Sequence, residues 1–385
     1  MKHKFLLLFV STLFACAAQN QEELPIIPGA YQMDKYLPFL ENKNVGLCLN
    51  HSSLVYNTHL TDTLIELGIK VKKVFSPEHG YNGRKSDGEE IGNQQNEQSF
   101  ELISLYGKSK KPLPEYFEDI DVLIFDIQDV GVRFYTYAST MTYLMEACAT
   151  KGIPFIILDR PNPNGGYVDG PVLNQEFKSF IGLHPIPLVH GLTLGELAKM
   201  INGEKWLESG LTCDLKIIEV ANWNHSIPYA LPVKPSPNLP NELAISLYPS
   251  LALFEGTVVS VGRGTDFPFQ IYGHPDFPIS DFSFTPVPNE GSKNPPLQDQ
   301  QCNGINLVDN PIEYSFTLKY LIATYNLMKE NSDKPFFNSY FTKLTGTYEF
   351  QKQIEEGWSE AQIKESWTGD LESYKKIREK YLLYP

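Results

Sequence analysis

Four short polar motifs occur in the first half of the chain, and their residue types can act as acids, bases or ligand-binding groups. The motifs are Asn50-His51, Ser76-Pro77-Glu78-His79-Gly80, Gln128-Asp129-Val130-Gly131 and Asp159-Arg160-Pro161-Asn162-Pro163. Each follows a short apolar run of the kind that forms a buried strand. In an open parallel sheet, ligands bind outside the carboxyl ends of the strands. The motifs are therefore predicted to converge on one cleft, and the chain is predicted to be an enzyme.

Glu78 is the first candidate for a catalytic residue. It follows Pro77 in a turn at a strand end, where the backbone is fixed and the side chain is expected to project into the cleft. A carboxyl group in a partly apolar site has a raised pKa and can serve as a general acid. His79 beside it could hold or tune this group. The alternative is a structural role, in which Glu78 caps the next helix or pairs with Arg84.

A second set of polar residues begins at Asp126. Asp126 alternates in phase with Ile124 in an apolar strand, so it needs a polar partner if it points inward. Further polar residues follow on the same loop: Gln128, Asp129, Arg133 and Tyr135. Asp129 also has a structural interpretation, because an Asp at this position can close an Asx turn at Gly131.

Arginines are rare in the chain and lie close to the motifs. Only five occur, and four lie within or beside motifs: Arg84, Arg133, Arg160 and Arg263. Arginine binds a carboxylate through two parallel hydrogen bonds, so an anionic substrate is one interpretation. Buried ion pairs with Asp126 or Asp159 would use arginine equally well.

The second half of the chain offers a further carboxyl group, Glu255, close to Arg263 and Thr265. Glycosidases usually flank the scissile bond with two carboxyl groups. Other polar candidates in this part of the sequence are Asn238 and His190, of which His190 could face the cleft or pack beneath it. The histidines form no H-x-x-x-H pair, so no metal site is predicted.

Length and charge restrict the class of protein. At 385 residues the chain is long enough for two domains, and a hydrophobic content of 42% supports well-formed cores. The net charge is −14 and no lysine or arginine stripe could neutralise phosphates, which argues against nucleic-acid binding. Apart from Cys16, the cysteines lack metal-ligand spacing, and Cys48 and Cys148 lie in apolar patterns typical of buried thiols.

The first residues predict an exported protein. Two lysines precede an apolar run at residues 5–14 that is too short to span a bilayer, a pattern typical of a signal peptide over residues 1–20. Leu13-Phe14-Ala15-Cys16 resembles a lipobox, in which Cys16 is lipidated after cleavage. This predicts a periplasmic or outer-membrane lipoprotein that contacts the membrane only through the lipid anchor on Cys16. Ordinary cleavage near Ala17 would instead give a soluble exported protein.

Predicted strands alternate with helices over residues 24–245. Helices are predicted at 59–67 and 137–149, and Thr193-Leu194-Gly195-Glu196 is a capping box that opens another. The alternation predicts a Rossmann-like α/β domain with a parallel sheet, although neither a dinucleotide fingerprint nor a P-loop occurs.

A proline-rich stretch at residues 231–240 suggests a boundary or hinge. Beyond it, a smaller α+β auxiliary domain is predicted over residues 246–385. This domain is predicted to contain a strand-like segment at 251–264 and a long helix from about 315 to 328.

The sequence resembles the exo-β-N-acetylmuramidases of the NamZ type over nearly the whole mature chain. The motifs that carry the resemblance are F-S-P-E-H-G (75–80), D-I-Q-D-V-G-V-R-F-Y-T-Y (126–137), L-D-R-P-N-P (158–163), H-G-L-T (190–193), P-S-P-N (235–238), E-G-T (255–257), G-R-G-T (262–265) and Y-L-L-Y (381–384). The resemblance implies an active site between a Rossmann-like catalytic domain and an auxiliary domain. It also implies release of N-acetylmuramic acid (MurNAc) from the non-reducing end of peptidoglycan fragments without a cofactor. Glu78 matches the proposed catalytic carboxylate of that family.

The resulting hypothesis is an exported glycoside hydrolase that cleaves the β-1,4 bond after a terminal MurNAc of MurNAc-GlcNAc oligosaccharides. Glu78 is expected to act as general acid with Glu255 or Asp126 as the second carboxylate, assisted by His79. An arginine, either Arg133, Arg160 or Arg263, is expected to hold the lactyl carboxylate of MurNAc. The full set of expected substrate-binding residues is Asn50, Gln128, Asp129, Arg133, Tyr135, Arg160, Asn162, His190, Asn238, Arg263 and Thr265. The alternative is a non-catalytic exported lipoprotein that binds muropeptides or other anionic glycans.

Overall fold

Strands and helices alternate through the first half of the chain in the computed structural model, which describes residues 24–78, 80–81, 94–95, 100–107 and 110–384. The strands are β1 (Asn44–Leu49), β2 (Leu54–Val55), β3 (Thr58–His59), β4 (Lys70–Ser76), β5 (Gln94–Gln95), β6 (Glu101–Ser104), β7 (Val122–Asp126), β8 (Phe155–Leu158), β9 (Asp169–Val172), β10 (Pro187–Val189), β11 (Leu215–Ile218), β12 (Ile271–His274), β13 (Ser283–Phe284) and β14 (Cys302–Asn306). The helices are α1 (Leu60–Glu66), α2 (Tyr137–Lys151), α3 (Leu194–Gly203), α4 (Glu242–Leu251), α5 (Lys319–Asn331), α6 (Phe341–Thr345), α7 (Glu349–Glu355), α8 (Glu360–Ser366) and α9 (Thr368–Arg378).

One large sheet organises the N-terminal region, with its strands in the order β11-β8-β7-β1-β4-β6-β5. Neighbouring strands are parallel except β5, which is antiparallel to β6. The strands β1, β4, β7 and β8 are largely buried because apolar residues fill both of their faces, as in parallel sheets covered by helices. The predicted α/β fold with a parallel sheet is confirmed. The carboxyl ends of these strands carry the four polar motifs.

The predicted helices of this region form close to their expected positions. α2 ends at Gly152, whose left-handed backbone (φ 68°) is a conformation that glycine adopts without strain. α3 opens with the expected capping box, in which Thr193 accepts a hydrogen bond from the Glu196 N–H and the Glu196 side chain accepts one from the Thr193 N–H.

The predicted strand-like segment at 251–264 is wrong. The Asn241 side chain caps the first turn of helix α4, which extends to Leu251, and a short 3-10 helix, Ala252–Gly256, follows it directly. Residues 257–264 then form turns that touch the small sheet only at the isolated bridge between Ser260 and Gly273. The predicted domain boundary at 245/246 falls inside α4.

The C-terminal region combines a three-stranded antiparallel sheet, in the order β12-β14-β13, with helices α5 to α9. The predicted helix from about residue 315 begins at Lys319 instead, because the N–H groups of Thr317 and Leu318 bond to the Ser250 hydroxyl and the Glu360 carboxylate. The largest hydrophobic cluster contains residues of both regions, among them Phe125, Leu144, Phe254, Phe341 and Trp367. The two regions therefore share one core.

Four of the five cysteines lie in the described part of the chain. Cys48, Cys148, Cys213 and Cys302 are all buried free thiols, as predicted for Cys48 and Cys148. Within the described part of the chain, no helix has the length and hydrophobicity needed to cross a bilayer. The predicted signal peptide and Cys16 lie outside the described residues.

Candidate active site

A cavity of about 640 Å³ opens between the N-terminal and C-terminal regions, a volume in the range of small-molecule sites. The N-terminal region contributes residues that follow β4 and β7, including Glu78 and the run from Phe134 to Thr136. The C-terminal region contributes the opposite wall, which includes Glu255, Arg263 and Tyr340. The predicted cleft at the carboxyl ends of the strands is thus closed by the second half of the chain.

Glu78 lies partly buried in a turn directly after β4. The turn is closed by a hydrogen bond from the Gly80 N–H to the Pro77 carbonyl. The Thr136 hydroxyl donates to Glu78 Oε2 at 3.0 Å, and this bond fixes one carboxyl oxygen in the cavity wall. Glu78 therefore lies in the wall of the cavity. Its neighbour His79 lies outside the described residues.

Glu255 faces the same cavity from the 3-10 helix that follows α4. Arg263 Nε donates to Glu255 Oε1 at 2.7 Å, which leaves the second oxygen without that partner. Burial and, to a smaller extent, the charge of nearby Glu78 raise the pKa of Glu255 to about 8. The contact with Arg263 opposes this rise, but desolvation is the larger effect. Glu255 consequently holds a proton near neutral pH.

Arg263 and Tyr340 complete this group of polar side chains. Burial lowers the pKa of Arg263 to about 10, so the guanidinium remains charged at neutral pH. Burial and the charges of Glu255 and Glu78 raise the pKa of Tyr340 above its usual range. Its phenol therefore keeps its proton and can donate a hydrogen bond.

Aromatic rings form one wall of the cavity. Tyr248 is central to it, with ring centroids 5.5 Å from Phe134, 6.0 Å from Tyr135 and 4.9 Å from Phe269, all in edge-to-face geometry. The Tyr135 hydroxyl donates to the Pro235 carbonyl at 2.9 Å, which fixes that ring. Flat apolar faces beside polar groups suit a sugar ring, which itself has an apolar face and a polar edge.

Asp126 and Arg160, both expected in the cleft, instead form a buried ion pair outside it. Arg160 donates to both oxygens of the Asp126 carboxylate, at 2.5 and 2.9 Å, and also to the Leu54 carbonyl. Their side chains are 0% and 4% exposed, and neither lines the cavity. Asp126 points away from the cavity because the side chains of a strand alternate between the two faces of the sheet.

Arg133, another expected ligand of the substrate, does not line the cavity and binds backbone carbonyls through its two Nη atoms. Its Nη1 donates to the Pro171 and Ile186 carbonyls, and its Nη2 donates to the Leu344 and Thr345 carbonyls, all at 2.8 Å. Leu344 and Thr345 are the last residues of α6, the helix that follows Tyr340. Arg133 therefore joins the two regions and fixes the end of a helix in the far wall of the cavity.

Several other expected ligands are buried in a polar network below the cavity and do not line it: Asn50, Gln128, Asp129, Asn162 and His190. Asp129 accepts from the Gly131 N–H at 2.6 Å, which is the Asx turn that the sequence offered as its structural role. Burial raises the pKa of Asp129 to about 7 and lowers that of His190 to about 3. The amides of Asn50, Gln128 and Asn162 bond to the Tyr137 hydroxyl and to backbone carbonyls.

The remaining two expected ligands are Asn238 and Thr265. Asn238 lines the cavity, and its amide donates to the Gly291 carbonyl at 2.8 Å. Thr265 does not line the cavity, since its hydroxyl closes a turn by donating to the Gly262 carbonyl at 2.7 Å.

The structure also adds residues to the cavity that the sequence did not single out: Phe134, Thr136, Tyr248, Tyr340, Lys110, Lys293 and Lys343. Phe134 and Thr136 belong to the same motif as Tyr135, so the motif itself was a usable signal. Tyr340 and the lysines lie in segments without any motif, and only the tertiary fold brings them to the site. Within the ranges that the structure covers, no three histidine, cysteine, aspartate or glutamate side chains are grouped as metal ligands.

Comparisons with known proteins agree with the motif resemblance. The N-terminal family model of exo-beta-N-acetylmuramidase NamZ matches residues 45–243, and the C-terminal model matches residues 246–384. The peptidoglycan beta-N-acetylmuramidase NamZ of Bacillus subtilis (strain 168) is 38% identical over 380 residues, covering 91% of this chain and 89% of that protein.

Two solved structures, both DUF1343 family proteins from Bacteroides fragilis NCTC 9343, share the fold. One is 46% identical with a TM-score of 0.86, and the alignment covers 94% of this chain and 99% of that one. The other is 27% identical with a TM-score of 0.77 and the same coverage. With both family models matched along nearly the whole described chain, this protein belongs to the exo-beta-N-acetylmuramidase NamZ family.

Proposed function

We propose that this protein is an exo-β-N-acetylmuramidase that releases MurNAc from the non-reducing end of peptidoglycan fragments. The observation that carries the proposal is that two carboxyl groups from different regions, Glu78 and Glu255, face one cavity in a chain of the NamZ family. Glycosidases cleave between two such groups, one of which protonates the leaving oxygen while the other acts as base or nucleophile.

The proton held by Glu255 indicates which of the two carboxyl groups is the general acid. Glu255 is the more buried carboxyl group and holds a proton near neutral pH, since its pKa is raised to about 8. Glu78 accepts a hydrogen bond from the Thr136 hydroxyl, which fixes one of its oxygens in the cavity wall and leaves the other for the substrate side. Glu255 is therefore the general acid of the proposal and Glu78 is the second carboxylate. This reverses the roles that the sequence led us to expect, although it keeps the same two residues.

Arg263 and Tyr340 assist this pair. Arg263 binds Oε1 of Glu255, so that Oε2 is the oxygen that carries the proton to the glycosidic oxygen. Tyr340 remains protonated beside both carboxyl groups and can donate to the ionised one or to the sugar. The aromatic wall around Tyr248 binds the apolar face of the sugar.

Export and lipid anchoring are a further part of the proposal. They are supported by the apolar run at residues 5–14 and by the lipobox-like residues that end at Cys16. The mass of the mature protein recovered from membranes tests this part. A diacylglyceryl-modified N-terminus at Cys16 is expected, and Cys16→Ser is expected to release the protein from the membrane fraction.

The activity itself is tested with MurNAc-GlcNAc oligosaccharides and the purified protein. Mass spectrometry is expected to detect free MurNAc and a product that has lost one sugar from its non-reducing end. Glu255→Gln is expected to abolish this release, whereas Glu372→Gln, on the exposed face of α9, is expected to leave it unchanged. Saturable binding without release by the wild-type protein would instead support the non-catalytic lipoprotein.

A further inference from the structure

Glu78 lies in a turn whose two ends are held by different contacts. The strand that leads into the turn, β4, pairs with β1 as far as Phe75 and with β6 as far as Ser76. The turn itself is closed by the hydrogen bond from the Gly80 N–H to the Pro77 carbonyl at 3.0 Å. The sheet therefore fixes the chain where it enters the turn, and the position of Glu78 also depends on what holds the chain where it leaves.

Tyr81 holds the chain directly after the turn. It is half-buried, and its hydroxyl forms a hydrogen bond with His59 Nδ1 at 3.1 Å. The two rings are also in contact, with centroids 4.8 Å apart, and the Tyr81 ring lies 6.2 Å from that of Phe100. Burial raises the pKa of Tyr81, against a smaller opposing effect of the Thr61 hydroxyl, so the phenol keeps its proton at neutral pH and can donate it. The turn is thus anchored at its far end by a hydrogen bond and by ring packing.

His59 is itself fixed, because its other ring nitrogen binds the end of β1, the middle strand of the large sheet. His59 Nε2 lies 3.0 Å from the carbonyl oxygen of Asn50, which follows β1 directly. A carbonyl oxygen only accepts, so Nε2 carries the hydrogen and Nδ1 of the neutral ring accepts the Tyr81 hydroxyl. Asn50 is fully buried, and its amide donates to the Tyr137 hydroxyl at 3.0 Å. The anchor of the turn therefore rests on the buried end of the central strand.

We propose that Tyr81, held by His59, is a positioning residue that keeps the Glu78 carboxyl group aligned with the substrate. The inference rests on the proposed function, in which Glu78 is the second carboxylate. The described residues that line the cavity include Glu78 but neither Tyr81 nor His59, so the pair acts on the reaction through Glu78. The Thr136 hydroxyl fixes the side chain of Glu78, and the Tyr81 anchor fixes its backbone. A displacement of about 1 Å at a reacting group can lower a rate about 10²-fold.

The first test removes the anchoring hydrogen bond and keeps the ring. Tyr81→Phe is expected to lower kcat on a chromogenic β-glycoside of MurNAc by about tenfold to a hundredfold, with KM within about twofold of the wild type, because Tyr81 does not touch the substrate. His59→Gln keeps a donor for the Asn50 carbonyl but lacks the acceptor at Nδ1, so the same loss is expected. The two substitutions together are expected to lower kcat no further than either alone, because both break one hydrogen bond.

A double-mutant cycle with Glu78→Gln distinguishes positioning from a general loss of structure. Glu78→Gln has no acid–base group left to misplace, so adding Tyr81→Phe is expected to leave its residual kcat unchanged. A general disturbance of the fold would lower kcat in both backgrounds. The midpoint of thermal unfolding of Tyr81→Phe is expected to fall by no more than about 4 °C.

A matched control removes a tyrosine hydroxyl that is bonded far from the turn in the sequence. Tyr314→Phe breaks a hydrogen bond to Glu242 at 3.0 Å, and Tyr314 is not among the described residues that line the cavity, so wild-type kcat is expected. Wild-type kcat in both Tyr81→Phe and His59→Gln would overturn the positioning role and leave the proposed function standing. An equal loss caused by Tyr81→Phe with and without Glu78→Gln would also overturn it. A wild-type protein that releases no MurNAc from the glycoside or from MurNAc-GlcNAc oligosaccharides would overturn the proposed function, and the positioning role with it.

Discussion

Two arginine–carboxylate pairs lie at the same end of the fold, and they differ in what surrounds them. Arg263 binds Glu255 through one hydrogen bond at the edge of a cavity of about 640 Å³, beside a second carboxyl group. Arg160 binds both oxygens of Asp126 inside the protein, and the Asp126 side chain is 0% exposed. The first pair borders the cavity, whereas the second is buried and bonded through both carboxylate oxygens.

In the proposed mechanism, this difference separates the carboxyl group that reacts from the one that stabilises the fold. In the buried pair, Arg160 and Asp126 compensate each other's charge. Neither side chain is therefore available to bind a substrate. In the pair at the cavity, Glu255 keeps a free oxygen and a raised pKa because burial and Glu78 both disfavour its charge. Both pairs join an arginine to a carboxylate, so residue type does not distinguish them, and access to the cavity carries the functional information.

The largest expected effect separates the two pairs by activity. Glu78→Gln and Glu255→Gln each keep the volume of the side chain and remove its acid–base function. We expect kcat on a chromogenic β-glycoside of MurNAc to fall about 10²- to 10⁴-fold, the range for loss of a general acid or base. The midpoint of thermal unfolding is expected to stay near that of the wild type. Wild-type turnover by a folded Glu255→Gln protein would remove Glu255 from the mechanism.

The buried pair is expected to show the opposite result. Asp126→Asn leaves the Arg160 charge buried without its counter-charge, so the free energy of unfolding is expected to fall by about 3–5 kcal/mol. The kcat of the folded fraction is expected to remain close to wild type. Urea unfolding and turnover at low temperature measure both quantities.

A second variant controls for the loss of charge balance. Asp126→Leu combined with Arg160→Met replaces the ion pair by apolar side chains and is expected to recover most of the stability. A large loss of kcat in this folded double variant would contradict the structural role of the pair.

Much of this arrangement could be predicted from the sequence. A parallel sheet with a polar edge is predicted by the apolar runs, by the capping box at Thr193 and by the strand-end motifs. The place of Glu78 in the cleft is predicted by its position in a turn after a strand. The sequence does not show whether the Asp126 side chain points into the cavity or towards Arg160. Its direction depends on the twist of the sheet and on the residues packed against the strand, and no local sequence pattern encodes these. Tyr340 joins the site only because the C-terminal region packs across the cavity.

Arg133 belongs to a strand-end motif and supports the cavity wall without lining the cavity. Arg133→Met leaves the Leu344 and Thr345 carbonyls at the end of α6 without their donor, and an unpaired buried polar group costs about 1–3 kcal/mol. Because α6 carries Lys343 and follows Tyr340, KM is also expected to rise in the folded protein. Arg133→Lys is expected to recover little, because an ammonium group cannot reproduce the planar fork. Unchanged stability in both variants would show that this contact does not join the two regions.

The smallest expected effect is a shift in pH dependence, and it again distinguishes the two pairs. In the proposal Glu255 acts in its protonated form, so kcat/KM is expected to begin to fall as the pH approaches the Glu255 pKa of about 8 and to fall about tenfold for each pH unit above it. Arg263→Met removes a cation that favours the ionised form, so the descending limb is expected to move to higher pH. The folded fraction of Asp126→Asn is expected to keep the wild-type limb, because the buried pair lies outside the cavity. The residual activity of Glu255→Gln is expected to lack the limb altogether, and a limb that persists in this variant would assign the proton to another group.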